Sequence, residues 1–106
     1  AKNMENISLK EVQAAVHKFV QERNWETSPE DIVVHMLEEF GEVARNVLKL
    51  KNYGGKHTNK DPINMEEELA DVLYCLVKLA NATNVDISQA FVDKMEKNKR
   101  RFPVKN

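Results

Sequence analysis

Apolar residues recur at helical spacing in four blocks of this chain, and no stretch alternates convincingly with the period of two that a half-buried strand requires. The pattern predicts an all-α fold. In the first block, residues 8–24, Leu9, Val12, Val16, Phe19 and Val20 form an apolar stripe, and Ser8 and Glu11 have capping-box spacing. Asn24-Trp25-Glu26-Thr27 reads as a turn. Trp25 is the only tryptophan. Its position favours a core anchor over the alternative, a stacking platform for a base.

The second block starts with Ser28 as N-cap, Pro29 at the first helical position, and Glu30 and Asp31 in the first turn, and it can run to Lys51. At 100° per residue Ile32, Met36, Phe40, Val43, Val47 and Leu50 share one side, which Val33, Leu37, Ala44 and Leu48 widen. So broad a face implies burial against several helices, another subunit's included. Glu39 falls within about 20° of the stripe's edge, Glu42 about 60° beyond it, and Glu38 further round. The third block starts at Asn64 or Met65 and runs through Leu69, Val72, Leu73, Leu76, Val77, Leu79 and Ala80, fraying near Asn81-Ala82-Thr83. Here Glu68 lies inside the apolar arc, between Leu79 and Cys75, while Asp71 sits about 40° outside Cys75. An ionised glutamate on a core face is costly unless a charge or ligand compensates. Asp86 and Gln89 cap the fourth block, from which Ile87, Ala90, Phe91 and Met95 are expected to face inward, and Phe102-Pro103 stops it.

Between the second and third blocks lies the only true loop, residues 52–63, punctuated by Gly54-Gly55 and Asp61-Pro62 and carrying Lys56, His57 and Lys60. Its length allows a lid over an anionic ligand or a plain solvated connector. The chain has 106 residues, consistent with a single domain over 1–106, and a net charge of −1, which argues against nucleic-acid or membrane binding through net electrostatics. No apolar run has the length of a bilayer span, and the first residues lack a signal peptide's apolar core. The one cysteine, Cys75, reads as a small buried hydrophobe, and a reducing cytoplasmic setting is the expectation. His17 reads as a surface or boundary residue.

The candidate chemistry is carboxylate. Glu39 and Glu42, and Glu68 and Asp71, form two pairs at i, i+3, each a neighbouring couple on its helix. A lone pair of this kind carries little information, but two pairs, one reaching into a core face, would repel each other without a cation. Oxygen-only ligands favour Mg²⁺ or Mn²⁺. No Glu-x-x-His exists for a di-iron bundle, one cysteine excludes a thiolate zinc site within the chain, and no Gly-rich phosphate loop follows a strand. Lys94, Asn98 and Arg101 share a face of the basic fourth helix. Helix-terminal cations complement the dipole, but that does not account for five basic residues in the run 94–101. Acids for a metal beside bases for an anion suit a polyphosphate.

With its Glu38-Glu39-x-x-Glu42 motif, twenty-five intervening residues and Glu68-x-x-Asp71, the chain resembles the MazG-type all-α nucleotide pyrophosphohydrolases. The flanks Glu22-Arg23-Asn24-Trp25 and Lys94 to Val104 look most like the dCTP pyrophosphatase branch. The resemblance implies a four-helix bundle-like chain that assembles into a dimer or a dimer-of-dimers tetramer with pockets between chains. It implies Mg²⁺-dependent hydrolysis of a (deoxy)nucleoside triphosphate to the monophosphate and pyrophosphate, a nucleotide-pool housekeeping task. Glu39, Glu42, Glu68 and Asp71 would be metal ligands, and Glu38 would orient or deprotonate the attacking water or stand behind the ligands. Trp25 would border the base pocket, against the core position favoured above. Lys94 and Asn98, with Arg101 as an extension, would meet phosphates or sugar. Three positions depart from that branch: Val16 replaces a histidine (His17 is one step off), Lys49 a tryptophan and Cys75 a tyrosine. The alternatives are a phosphoribosyl-ATP pyrophosphohydrolase and a non-catalytic helical interaction module.

Overall fold

The computed structural model describes residues 6–25, 28–51 and 63–105, which form four helices with no strand among them. They are α1 (Leu9–Glu22), α2 (Pro29–Leu50), α3 (Met65–Ala82) and α4 (Ile87–Arg101). The predicted caps act at three of the four starts. Ser8 and Glu11 close a full capping box on α1, Asn64 accepts the Glu67 N–H on α3, and Asp86 accepts that of Gln89 on α4. Ser28 differs. Its hydroxyl donates to the Glu30 carboxylate at 2.6 Å instead of accepting a backbone N–H, which leaves Pro29 to set the start of α2.

Two helices stop in the same way. Asn24 after α1 and Asn84 after α3 take left-handed backbone conformations, with φ of 54° and 58°. The next residue's N–H then turns back to the helix, Trp25 to the Val20 carbonyl and Val85 to that of Ala80. The stop on α1 thereby fixes where Trp25 leaves the bundle. The stop on α3 launches α4, and Gln13 of α1 clasps this corner. Its side chain donates to the Val85 carbonyl at 2.6 Å and accepts from the Ile87 N–H, while its carbonyl accepts from Asn81.

The main contact runs between α2 and α3, with α1 across α3 and α4 against α1. Val20, Ile32, Cys75, Val77 and Ala80 form the buried apolar core of the described residues. That core is thin, and the broad apolar face of α2 stays largely open: Leu37 is 64% exposed, and Val33, Phe40, Val47, Leu48 and Leu50 are also at the surface. The expected inward face of α4 is not packed in a single chain. Ile87 is half-buried, but Phe91 is 59% exposed and Met95 is at the surface. Ile87, Ala90 and Phe91 instead line an apolar groove of about 400 Å³ with Leu9, Leu73 and Leu76. The radius of gyration is 17.3 Å, where a compact chain of this length would have about 13 Å. No described helix is long and apolar enough to cross a membrane. The loop at 52–63, apart from Ile63, lies outside the described residues.

Candidate functional site

The acidic residues meet where α2 and α3 pack. Glu39 from α2 and Glu68 and Asp71 from α3 each bring a side-chain oxygen within 4.8 Å of the other two. The periodicity placed Glu39 at the edge of its apolar stripe and Glu68 inside its own, so packing those stripes carries both carboxylates into the seam. Both are half-buried. Glu42 lies one turn further along α2, outside this tight trio, and its carboxylate is 3.7 Å from Arg45. It is still close enough to act on Glu68. Desolvation pushes the Glu68 carboxyl above its ordinary value, and the charges of Glu42, Glu39, Asp71 and Glu67 push it further in the same direction. The site therefore holds negative charge that the fold itself does not neutralise, in a set of hard oxygen donors. Such a set fits a dication such as Mg²⁺ or Mn²⁺. Glu38 stands apart from the trio on the exposed side of α2.

One participant carries no signal in the acidic motif. The Nε2 of His35, a turn before Glu39, lies 3.1 Å from the Glu39 carboxylate, and its Nδ1 lies 3.5 Å from the Cys75 thiol. The i, i+4 spacing of His35 and Glu39 was available in the sequence, but the approach of Cys75, forty positions away, was not. Cys75 is fully buried, as expected of a small hydrophobe. Burial pushes its thiol up, with Glu39 adding to the effect and Lys78 opposing it.

Trp25 does not enter the core. It is 51% exposed, stacked edge-on against Phe19, whose ring also meets Tyr74. The Lys78 ammonium lies 5.9 Å from the Trp25 ring centre and 5.7 Å from that of Tyr74. The Tyr74 hydroxyl is buried with no hydrogen-bond partner among the described residues. A cavity of about 370 Å³ opens beside Trp25, lined also by His17, Gln21, Asn24 and Asn81. His17 is exposed, as its position suggested. Lys94 borders the apolar groove, Asn98 is half-buried, and the exposed Arg101 guanidinium lies 5.1 Å from the Phe102 ring centre. Among the described residues no hydrogen bond or ion pair joins these three to the acids of their own chain.

Residues 27–105 match the MazG nucleotide pyrophosphohydrolase domain. YpjD of Bacillus subtilis (strain 168) is 34% identical over 88 residues, which cover 82% of this chain and 79% of that protein. The dCTP pyrophosphatase 1 of Mus musculus is 33% identical over 102 residues, and that of Homo sapiens 31%. The chain spans about three-fifths of these proteins, 60% of the mouse protein and 59% of the human one. In three dimensions the crystal structure of YpjD from Bacillus subtilis superposes with a TM-score of 0.77 at 33% identity, covering 92% of this chain and 99% of that one.

Proposed function

This chain belongs to the MazG nucleotide pyrophosphohydrolase family, whose members are hydrolases acting on acid anhydrides, and we propose that it hydrolyses a (deoxy)nucleoside triphosphate to the monophosphate and pyrophosphate with Mg²⁺. The observation that carries this reading is the convergence of Glu39, Glu68 and Asp71 from two helices into one under-neutralised cluster. These three, with Glu42 beside them, would hold Mg²⁺, or Mn²⁺ in its place. The ion would supply positive charge to offset the negative charge that builds as the anhydride opens.

The chain's own residues divide the remaining work. Glu38, exposed on α2 and outside the trio, would orient or deprotonate the attacking water or stand behind the ligands. Trp25, held out of the bundle by the stop on α1, would offer its face to the base. Lys94 and Asn98, with Arg101, would meet phosphate or sugar. Among the described residues these three join no acid of their own chain, and in this reading α4 of one copy faces the acids of another. The open apolar faces of α2 and α4 and the large radius of gyration support a dimer or a dimer-of-dimers tetramer. We assign the whole of residues 1–106 to one such domain, with a cytoplasmic role in nucleotide-pool housekeeping.

The test is pyrophosphate release from a panel of nucleotides, with dCTP first because relatives carry that name. Activity is expected with Mg²⁺ and absent in EDTA. Glu39→Gln and Asp71→Asn are expected to lower kcat/KM by about a hundred- to a thousandfold, on the order of the loss of a principal electrostatic contact, with the helical signal unchanged. Full turnover in EDTA would remove the metal from the reaction.

A further inference from the structure

We propose that Lys78 of α3 is a substrate-binding residue whose ammonium takes the phosphate that stays with the nucleoside when pyrophosphate leaves. The inference deepens the nucleotide reading given above, and it rests on placing the base at Trp25 and the phosphates at the acidic cluster.

The placement follows from α3. Lys78 comes two turns after Asp71 on that helix, so the two fall within about 20° of each other round it and about 10 Å apart along it. The two charges thus share one face of a single element. Long side chains on a helix lean toward its N-terminus, which on α3 is the end that carries the acids. The Lys78 ammonium comes to rest 5.7 Å from the Tyr74 ring centre and 5.9 Å from that of Trp25. Tyr74 stands a turn nearer the acids than Lys78, whereas Trp25 lies by the far end of α3, where it shares a cavity with Asn81 and Ala82. The ammonium therefore sits between the base platform and the acidic cluster. The Cys75 thiol registers both ends: beyond the effect of burial, Glu39 pushes it up and Lys78 opposes.

What Lys78 lacks is a counter-ion. It is half-buried, and among the described residues no carboxylate lies within ion-pair distance of it. Ring faces attract an ammonium without neutralising it, and its three N–H donors need acceptors. An anion that arrives with the ligand supplies both. In a nucleotide the sugar is neutral, so the first negative charge met on going from the base toward the acids is the phosphate bonded to the sugar. A charge-assisted contact there is stronger than one to a sugar hydroxyl. It serves every base alike, because all nucleotides share that group. Since this phosphate remains on the monophosphate, the same contact also holds the product.

The test titrates the fluorescence of Trp25, the only tryptophan, which a stacked base should quench. The ligands are dCMP, dTMP and their two nucleosides, in Mg²⁺, against wild type, Lys78→Met and Lys78→Arg. Lys78→Met keeps the unbranched stem and removes the charge. It is expected to bind both monophosphates about 10- to 100-fold more weakly, the order of losing a hydrogen bond to a charged group, and both nucleosides within twofold of wild type. Lys78→Arg should recover most of the loss. In pyrophosphate release, KM for each triphosphate should rise by a similar factor. Melting curves confirm that each variant is folded; if Lys78→Met is not, Lys78→Gln supplies the same comparison. Monophosphate binding by the variant within twofold of wild type overturns the inference. So does a loss shared by the nucleosides, which makes Lys78 a support for Trp25, or a loss confined to one base, which makes it a reader of the base edge. A wild type that releases pyrophosphate while Trp25 responds to no nucleotide overturns the inference alone. Lys78-dependent monophosphate binding by a protein that releases no pyrophosphate removes the proposed reaction and leaves this site standing.

Discussion

Glu68→Gln should invert the order of stability with and without metal. The Glu68 carboxyl binds its proton more tightly in the folded protein than at its ordinary value of 4.5, first because α3 buries it in the seam and then because Glu42, Glu39 and Asp71 crowd it. A raised carboxyl pKa works against the fold as pH rises. Below the ordinary value both states are protonated and nothing is lost; between that value and the folded-state value the penalty grows; at neutral pH it is fully present. Glutamine keeps the shape and removes the charge, so in EDTA at neutral pH the variant should melt above wild type, with the gap closing on acidification below the ordinary value. Mg²⁺ reverses this. An ion at a hundredfold excess over its Kd stabilises the folded state by about 2.7 kcal/mol. In a domain of this size that raises Tm on the order of 10 °C. Wild type should show that rise and the variant only a small part of it, so the two melting temperatures cross. The assay is a pair of thermal scans per protein at equal chain concentration, one in EDTA and one in saturating Mg²⁺. A variant that melts below wild type in EDTA would show that Glu68 is not under charge strain. An unchanged Mg²⁺ shift would show that it does not meet the ion.

Two further outcomes test the assembly and the core. Leu37 keeps 64% of its surface exposed in one chain. Burying that remainder is worth about 1–2 kcal/mol per copy, and a two-fold interface counts it twice. Leu37→Ala should therefore weaken association by about 30- to 1,000-fold, read by sedimentation, with specific activity becoming dependent on dilution; unchanged association would move the interface off this face of α2. Val77 is fully buried, and Val77→Ala deletes two carbons at about 0.8 kcal/mol each plus a cavity, about 2–3 kcal/mol in all. In denaturant that should appear as a lower midpoint with the same slope, and a loss under about 0.5 kcal/mol would mean that the core lies elsewhere.

The acidic motif, the four helices and three working caps were legible from local pattern, because caps and periodicity involve residues within one or two turns of each other. Ser28 departed from its expected role because a neighbouring carboxylate, Glu30, was a stronger partner for its hydroxyl than a backbone amide. Trp25 departed because a large apolar side chain just past a helix stop goes where the left-handed Asn24 sends it, and that is outward. The inward face of α4 was correctly identified as apolar, yet the described residues do not cover it.

By itself, then, the sequence determined each helix and its apolar face, and with them that Glu68 would lie on such a face. Periodicity is a property of one helix at a time, so it could not say which faces meet. Tertiary packing decided that Glu39, Glu68 and Asp71 converge while Glu42 acts from one turn away and Glu38 stays outside. It also decided that Cys75 and His35 touch. Those outcomes depend on how α2 crosses α3, which is fixed by contacts between residues tens of positions apart.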